Sequence, residues 1–477
     1  METQSSPQIK RTLGVFSIVL MVVAATAPLT VVAGTQPLVM TYTENNSIPV
    51  YYLATGAILL FSVGFTKMSG HVPNAGAFYS YIQAGLGKTM GLGAATMALL
   101  SYVLICIAVL AYLGYATANT IALFAPAIEV PWWVCAIAWW AAIAFLGYRN
   151  IDLSSKVLGV FLVLEVLSVT ILDVAIIGTG GNEGLSLVPF SPSNFLSGVP
   201  GLGLMWAFFG FIGFEATAVF RNEAKDPEKT IPRATYIAVA FIALFYGFSG
   251  WCLVMGAGAD SALAFAQKTQ DAYALELAAL YVGQWLYDVF QCLLVTSLFA
   301  CALALHNVAS RYTFTLSRVK VLPACLGEVH KTHFAPSNAS MSISIVSFAL
   351  LAIVTIVGLD PLTVYAWFAN TATLGLLVLQ MLTSVSVAAF FRRVVHGASI
   401  WRTLVAPVVA AACLAFVASV VLSNFADLTG DMTSALVMGS LIPLSYLVGM
   451  AIAGRMKKNR PSDFSNLAIL VSGQSAA

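Results

Sequence analysis

Stretches of about twenty apolar residues recur from one end of this chain to the other, and they set the fold class. They fall roughly at 14–42, 49–68, 88–124, 131–148, 154–178, 200–222, 233–257, 281–317, 339–358, 361–391, 402–423 and 432–454. A water-soluble globule of 477 residues could not bury them all. Only 9% of the residues are charged, against about a quarter in an ordinary soluble domain. The connections between runs are short, so one integral domain is expected. The reading is an all-α polytopic membrane protein with about twelve transmembrane helices.

The first run begins near Leu13 and continues to about Met40. That exceeds the ~7–15 residue core of a cleaved signal, so it reads as a retained helix. The runs at 88–124 and 281–317 are longer than a bilayer requires and should tilt or project. An even span count puts both termini on one side, and the cations agree. Lys10, Arg11, Lys67, Lys88, Arg149, Lys156, Arg221, Lys225, Lys229, Arg233, Arg311, Arg318, Lys320, Lys331, Arg392, Arg393, Arg402, Arg455, Lys457, Lys458 and Arg460 share one face. Lys268 lies on the other. Cytoplasmic N- and C-termini in a plasma membrane are expected, with tails at 1–12 and 455–477. The opposite-face segment 258–277 carries Asp260, Asp271 and Glu276 and is expected to form a short surface helix.

Two runs are interrupted. The first holds "VVAATAPLTVVAGTQP" (22–37), where Pro28 removes a backbone donor in mid-helix. The sixth holds "FFGFIGFEA" (208–216), with Gly210, Gly213 and Glu215. Unpaired backbone costs several kcal/mol in lipid, so such breaks belong against protein or a cavity. Paired breaks in corresponding spans point to a transporter's substrate site. Freed amides suit a carboxylate, and freed carbonyls suit an ammonium or a metal ion. The plainer alternative is a pair of kinks between packed helices.

Three longer stretches carry a family resemblance. "HVPNAGAFYSYIQAGLG" (71–87) is similar to a P-x-A-G-x-x-Y-x-Y loop. "FFGFIGFEATAVFRNEAKDPEKTIPRA" (208–234) resembles a span-six signature ending in E-x-x-x-P-x-x-x-I-P-x-A. "NVASRYTFTLSRVKVLPACLGEVHKTHFAPSNA" (307–339) resembles a loop with an S-R-x-x-x-x-L-x-R run. Together they resemble the amino acid–polyamine–organocation (APC) transporters across essentially the whole chain. The resemblance implies a five-plus-five inverted repeat of the LeuT-like kind, about 13–180 and 199–392 within a core of 13–392. It also implies two peripheral helices at 400–454, and alternating access around spans one and six. Many members carry G-[SA]-G-I at the first break, where this chain reads Thr26-Ala27-Pro28-Leu29. Pro28 has no amide to give, so a substrate carboxylate would use the amides of Ala27, Leu29 or Thr30, or the Thr26 hydroxyl. Backbone at Phe209, Gly210, Phe211, Ile212 and Gly213 would hold the ammonium. Trp206, Phe209 and Phe211 are candidates to close over a substrate.

Acids inside spans are functional candidates by default. Glu165 sits where some proton-coupled relatives carry a lysine, so it can carry a proton or attract a cation. Glu215 can accept from donors freed at the break or act as a gate. For both, the plainer role is a hydrogen-bonded acid that packs helices. Asp173 reads as solvated or in a local contact, His306 as a packing partner, and Glu223, Asp226 and Arg233 as a charged loop or inner gate. The seven cysteines are scattered without a CxxC pair and read as small apolar filler.

The expected function is import of an amino acid by secondary active transport. The proton gradient is the expected energy source, with sodium possible. A polyamine or amine importer and an amino acid exchanger are the rivals. No cofactor, no metal and no nucleic acid partner is called for, and no phosphate loop or catalytic constellation is present. The partners expected are the small-molecule substrate and the lipid bilayer, with oligomeric state open.

Overall fold

The computed structural model describes residues 13–43, 47–72, 77–149, 155–191, 198–330, 335–394 and 397–467. The N-terminal tail with Lys10 and Arg11, residues 73–76 of the loop motif, Lys331 and the end of the C-terminal tail lie outside the described residues, as do the side chains of Lys156 and Glu223.

The described residues are helical almost throughout, and the expected twelve runs all appear as helices. Span one is broken into Val15–Ala25, Pro28–Thr30, a π-turn segment Val31–Thr35, and Gln36–Thr43. Span two is Ser47–Ser69, span three Lys88–Phe124, span four Trp132–Tyr148 and span five Ser155–Thr179. Span six is Pro200–Phe209 followed, after an irregular stretch, by Ala216–Val219. Spans seven, eight, nine and ten are Pro227–Ala257, Gln284–Arg318, Ser337–Val357 and Pro361–Phe391. Span eleven is Trp401–Val405 continued by Ala406–Ser423, and span twelve is Met432–Asn459.

Ten of these are long and apolar enough to cross a bilayer. The other two are the 17-residue span four and the 10-residue first half of span six. Span six is short because it stops at the Gly210 break, not because it lacks apolar residues. Many large apolar side chains point outward, among them Phe16, Leu244, Ile356, Phe416 and Leu447. In water such a surface would drive aggregation; in lipid it is the expected covering.

Span three runs through the middle of the molecule, packed on spans eight, ten and twelve. Its inner turns, at Tyr102 and Tyr112, meet the broken spans. The connection between spans seven and eight is more than one surface helix. It holds Ala262–Thr269, a 3-10 turn Gln270–Ala272, and Tyr273–Tyr281. Tyr273, Leu275 and Leu277 of the last helix are buried, so this cap is part of the core.

Two backbone ties join spans one and six at opposite ends. On the basic face the Lys225 amide donates to the Leu13 carbonyl at 3.0 Å, beside an isolated bridge between Leu13 and Ala224. On the other face the Val199 amide donates to the Tyr42 carbonyl at 2.8 Å. The start of each broken span is thus tied to the end of the other.

Candidate functional site

The first break is made by Ala27 and Pro28. Pro28 denies span one a mid-helix donor, and Ala27 takes the left-handed conformation, φ 50° and ψ 73°. That costs a non-glycine residue roughly 1–2 kcal/mol. The donors expected to bind substrate are then largely occupied. The Ala27 amide donates to the Ala24 carbonyl at 3.1 Å. The Thr26 hydroxyl donates to the Val23 carbonyl at 2.8 Å. The Leu29 amide donates to Glu165 Oε2 at 3.2 Å. Thr30 differs: its hydroxyl is buried without a partner, and its amide has none among the described residues.

The second break is made by Gly210 and Gly213. Gly213 has φ +111°, which only glycine adopts readily. The stretch after Phe209 tightens into short-range turns, with Phe211 and Ile212 amides donating to the Phe208 and Phe209 carbonyls, both at 3.0 Å. The Phe211 carbonyl accepts from the Phe214 amide at 3.2 Å. The Gly210 and Ile212 carbonyls accept nothing among the described residues. The ammonium-binding segment proposed from sequence therefore narrows to these two acceptors.

The breaks face one another. A Cβ built on Gly213 would lie 3.5 Å from the Ala25 Cβ and the Thr26 Cγ2, and one on Gly210 would lie 3.2 Å from the Val31 Cγ1. The Tyr246 hydroxyl of span seven approaches the Thr26 carbonyl and hydroxyl at 3.4 Å each. Kinks made only for packing need not coincide at one depth.

Both buried acids are built into this junction. Glu165, 4% exposed, accepts through Oε2 from the Leu29 amide and from the Ser297 hydroxyl of span eight at 2.9 Å. Glu215, 2% exposed, accepts through Oε2 from the Gly213 amide at 3.0 Å and through Oε1 from the Tyr102 hydroxyl of span three at 2.8 Å. Each acid thus caps an amide set free by a helix break and ties it to a neighbouring span.

An aromatic cluster lies beside the two breaks. Trp206, Phe209 and Tyr365 stand with ring centroids 5.7–6.0 Å apart. Tyr112 joins Tyr365 at 4.9 Å. The Tyr365 hydroxyl lies 3.5 Å from the Thr35 hydroxyl. Gly34 admits this approach, since a Cβ there would fall 2.8 Å from a Tyr112 ring carbon. Trp206 and Phe209, two of the three aromatics singled out from sequence, belong to this cluster. Phe211 is buried in the core outside this cluster. Tyr112, Tyr365, Ser297 and Tyr102 were missed. They belong to spans three, eight and ten, and nothing in a run of apolar residues marks which Tyr or Ser turns inward.

Two other candidates resolve differently. Asp173, read as solvated or in a local contact, is 2% exposed and accepts from the Ser249 hydroxyl of span seven at 2.8 Å. Its depth is set by spans five and seven packing closely there, which position along span five does not show. His306 sits 2.9 Å from the Ser340 hydroxyl, under Gly147, where it fills the contact between spans four, eight and nine. At the expected inner loop, Asp226 pairs with Lys229 at 3.3 Å on the surface. The cysteines are all free thiols. Among the described residues no group of three His, Cys, Asp or Glu side chains could hold a metal ion.

Comparison with known proteins agrees with this architecture. Residues 17–464 match the amino acid permease family. The branched-chain amino acid permease BcaP of Bacillus subtilis is 24% identical over 405 residues, covering 79% of this chain and 81% of that protein. The low-affinity putrescine importer PlaP of Escherichia coli K12 is 27% identical over 372 residues, covering 73% of this chain and 76% of that one. The chloroplastic cationic amino acid transporter 7 of Arabidopsis thaliana is 26% identical over 332 residues, 65% of this chain and 55% of its own length. With two broken helices that face one another and a family match over nearly its whole length, this chain belongs to the amino acid permease family, as a multi-pass membrane protein of the APC superfamily.

Proposed function

We propose that the protein is a secondary active transporter that imports an amino acid together with a proton. One observation carries this reading. The two breaks meet, and their unpartnered groups have opposite polarity: the Thr30 amide and hydroxyl on one side, the Gly210 and Ile212 carbonyls on the other. Donors at one break and acceptors at the next are what a zwitterion needs. The carboxylate end binds at Thr30, at the start of the second half of span one, and the ammonium binds at the span-six carbonyls. Trp206, Phe209, Tyr112 and Tyr365 close the path to one side. Spans one and six then rock between two states around the fixed site.

Glu165 and Glu215 are the coupling groups in this scheme. Protonating either one weakens a bond between a break and its scaffold, so the proton biases the two states. Sodium is the alternative coupling ion. The one-sided distribution of basic loops supports a plasma-membrane protein with both termini in the cytoplasm.

An amine importer is the second reading. Glu165 occupies the Leu29 amide and leaves a carboxylate at the first break, which suits a cation without a carboxylate of its own. One experiment separates these. Purified protein is placed in proteoliposomes with labelled leucine, arginine and putrescine, with and without an inward proton gradient. Accumulation of an amino acid only under the gradient is expected. Uptake of putrescine alone moves the assignment to amines. Uptake only into vesicles preloaded with substrate makes the protein an exchanger and removes the proton.

A further inference from the structure

A cavity of about 120 Å³ opens on the acidic face, above the aromatic cluster. It lies between span three, the start of span eight and the cap that joins spans seven and eight. Its walls include Tyr115, Asn119, Asp271, Tyr287 and Gln291. At roughly 30 Å³ per water it has room for about four waters, or for one small organic headgroup.

Its polar walls are rich in acceptors. Gln291 is 5% exposed, and its side-chain amide nitrogen donates to the Ala116 carbonyl at 3.0 Å and the Thr120 hydroxyl at 3.1 Å. With the nitrogen pinned to span three, the side-chain carbonyl is left on the cavity with no partner among the described residues. Asp271 supplies a carboxylate from the 3-10 turn of the cap. No lysine or arginine pairs with it among the described residues. Burial pushes the Asp271 carboxyl above its usual range, its own backbone amide and the Tyr115 hydroxyl oppose the shift, and nearby Asp360 adds to it. A half-buried carboxylate without a counter-charge is stabilised in its charged form by a bound cation. Around the mouth, Glu276 and Asp288 add to the negative field at Tyr287, which draws cations inward.

The cavity also leads somewhere. Tyr115 stacks on Tyr112 at 6.4 Å, and Tyr112 meets Tyr365 at 4.9 Å. Tyr365 in turn meets Trp206 and Phe209, one residue before the second break. A file of aromatic faces thus connects the cavity to the central site, and aromatic faces attract cations.

We propose that this cavity is a second binding site, which takes an organic ammonium group on Asp271 and Gln291 before it passes the Tyr112–Tyr365 pair. The proposal rests on reading the chain as a carrier of amino acids or amines and adds an entry site to it. Asp271 and the Gln291 carbonyl hold the ammonium. The rest of the substrate stays toward the mouth until the aromatic cluster opens.

The test uses the full chain purified in detergent. Labelled methylammonium is the probe, measured by equilibrium binding. Wild type should bind it. Asp271→Asn should weaken binding at least fivefold, and Asp271→Glu should restore it to within twofold of wild type. In proteoliposomes, Asp271→Asn should raise the KM for substrate offered on the acidic face at least fivefold. It should leave KM from the basic face within twofold, a split that a merely structural role would not produce. Methylammonium binding that is absent from wild type, or unchanged in Asp271→Asn, overturns the site. Uptake of leucine or putrescine without Asp271-dependent binding defeats this inference alone. Asp271-dependent binding by a protein that moves none of the three substrates defeats the carrier reading and leaves the site standing.

Discussion

Replacing Glu165 separates its structural duty from its proposed coupling duty. In Glu165→Ala the Leu29 amide and the Ser297 hydroxyl lose the oxygen that accepts both. A buried donor left without a partner costs about 1–3 kcal/mol, so the pair costs about 2–6. That is a large part of any protein's margin, and Glu165→Ala should express poorly or lose its fold in detergent. Glu165→Gln keeps a carbonyl oxygen of the same reach. It loses only the charge assistance, about 1 kcal/mol per bond and about 2 in all. Glutamine should therefore fold, and Ser297→Ala, which removes one donor and leaves the other bond, should fold too. Glutamine cannot change charge, so gradient-driven accumulation in proteoliposomes should vanish in Glu165→Gln. Exchange of labelled for unlabelled substrate across the same membrane should persist. Retention of half or more of the wild-type gradient-driven accumulation would refute the coupling role. A well-folded Glu165→Ala would refute the energetic reasoning.

Gly34→Ala should force the span-one break away from Tyr112, since the new carbon would sit 2.8–2.9 Å from the Tyr112 ring and hydroxyl. Overpacking of this kind costs roughly 1–3 kcal/mol, and detergent half-life and uptake should both fall. Gly56→Ala in span two, where nothing lies within 4 Å, is the control and should be neutral or slightly stabilising. Ala27→Gly relieves the φ 50° conformation and should leave thermal stability unchanged or raised by up to ~1 kcal/mol, while Ala27→Val should lower it by more than ~1. Near the acidic face, Glu183 accepts from the Asp260 amide at 2.9 Å and the Ser261 hydroxyl at 2.6 Å. The Ser261 bond, then the Asp260 bond, hold its carboxyl below the usual range. A depressed folded value means this tie is present above the ordinary glutamate value near ~4.3 and is lost as pH falls through the lower one. Pepsin cleavage near 179–191 should therefore rise on acidification, and Glu183→Gln should show reduced dependence on pH.

How much of this was readable in the chain depends on where each group sits relative to the break. Pro28, Gly210 and Gly213 announce themselves, because each violates what a lipid-buried helix needs. Glu165 and Glu215 announce themselves for the same reason. The twelve spans follow from apolar run length alone. The scaffold side of the site was invisible. Ser297, Tyr102, Tyr112 and Tyr365 are ordinary residues in long helices, and which face turns inward is decided by packing between spans distant in sequence. Asp173 shows the same limit, since its burial comes from span seven and not from its depth along span five. The carbonyls show a finer one. Sequence marks 208–212 as irregular, but only the turn geometry reveals that Phe208 and Phe209 satisfy their own neighbours and leave Gly210 and Ile212 open.

The two acids answer a question that composition raises, namely why a carboxylate should stand in a run of apolar residues at all. Each break frees an amide that lipid cannot satisfy. At the first break that amide is Leu29, and Glu165 accepts it from span five. At the second it is Gly213, and Glu215 accepts it two residues along its own chain. Each acid has a second bond, to Ser297 of span eight or Tyr102 of span three, so each break is held to a neighbouring span. A neutral acceptor in the same place would also satisfy the amide, though more weakly, so capping alone explains a polar residue but not a charge. The charge matters because it can be removed. Taking a charge-assisted bond to a neutral one changes its strength by about 1 kcal/mol, and two such bonds at one acid shift an equilibrium by about 2 kcal/mol, or thirtyfold. Conformers of a carrier that differ by a few kcal/mol would be redistributed by a shift of that size. In the proposed cycle, then, the residues that make the breaks tolerable are also the ones through which a proton moves them.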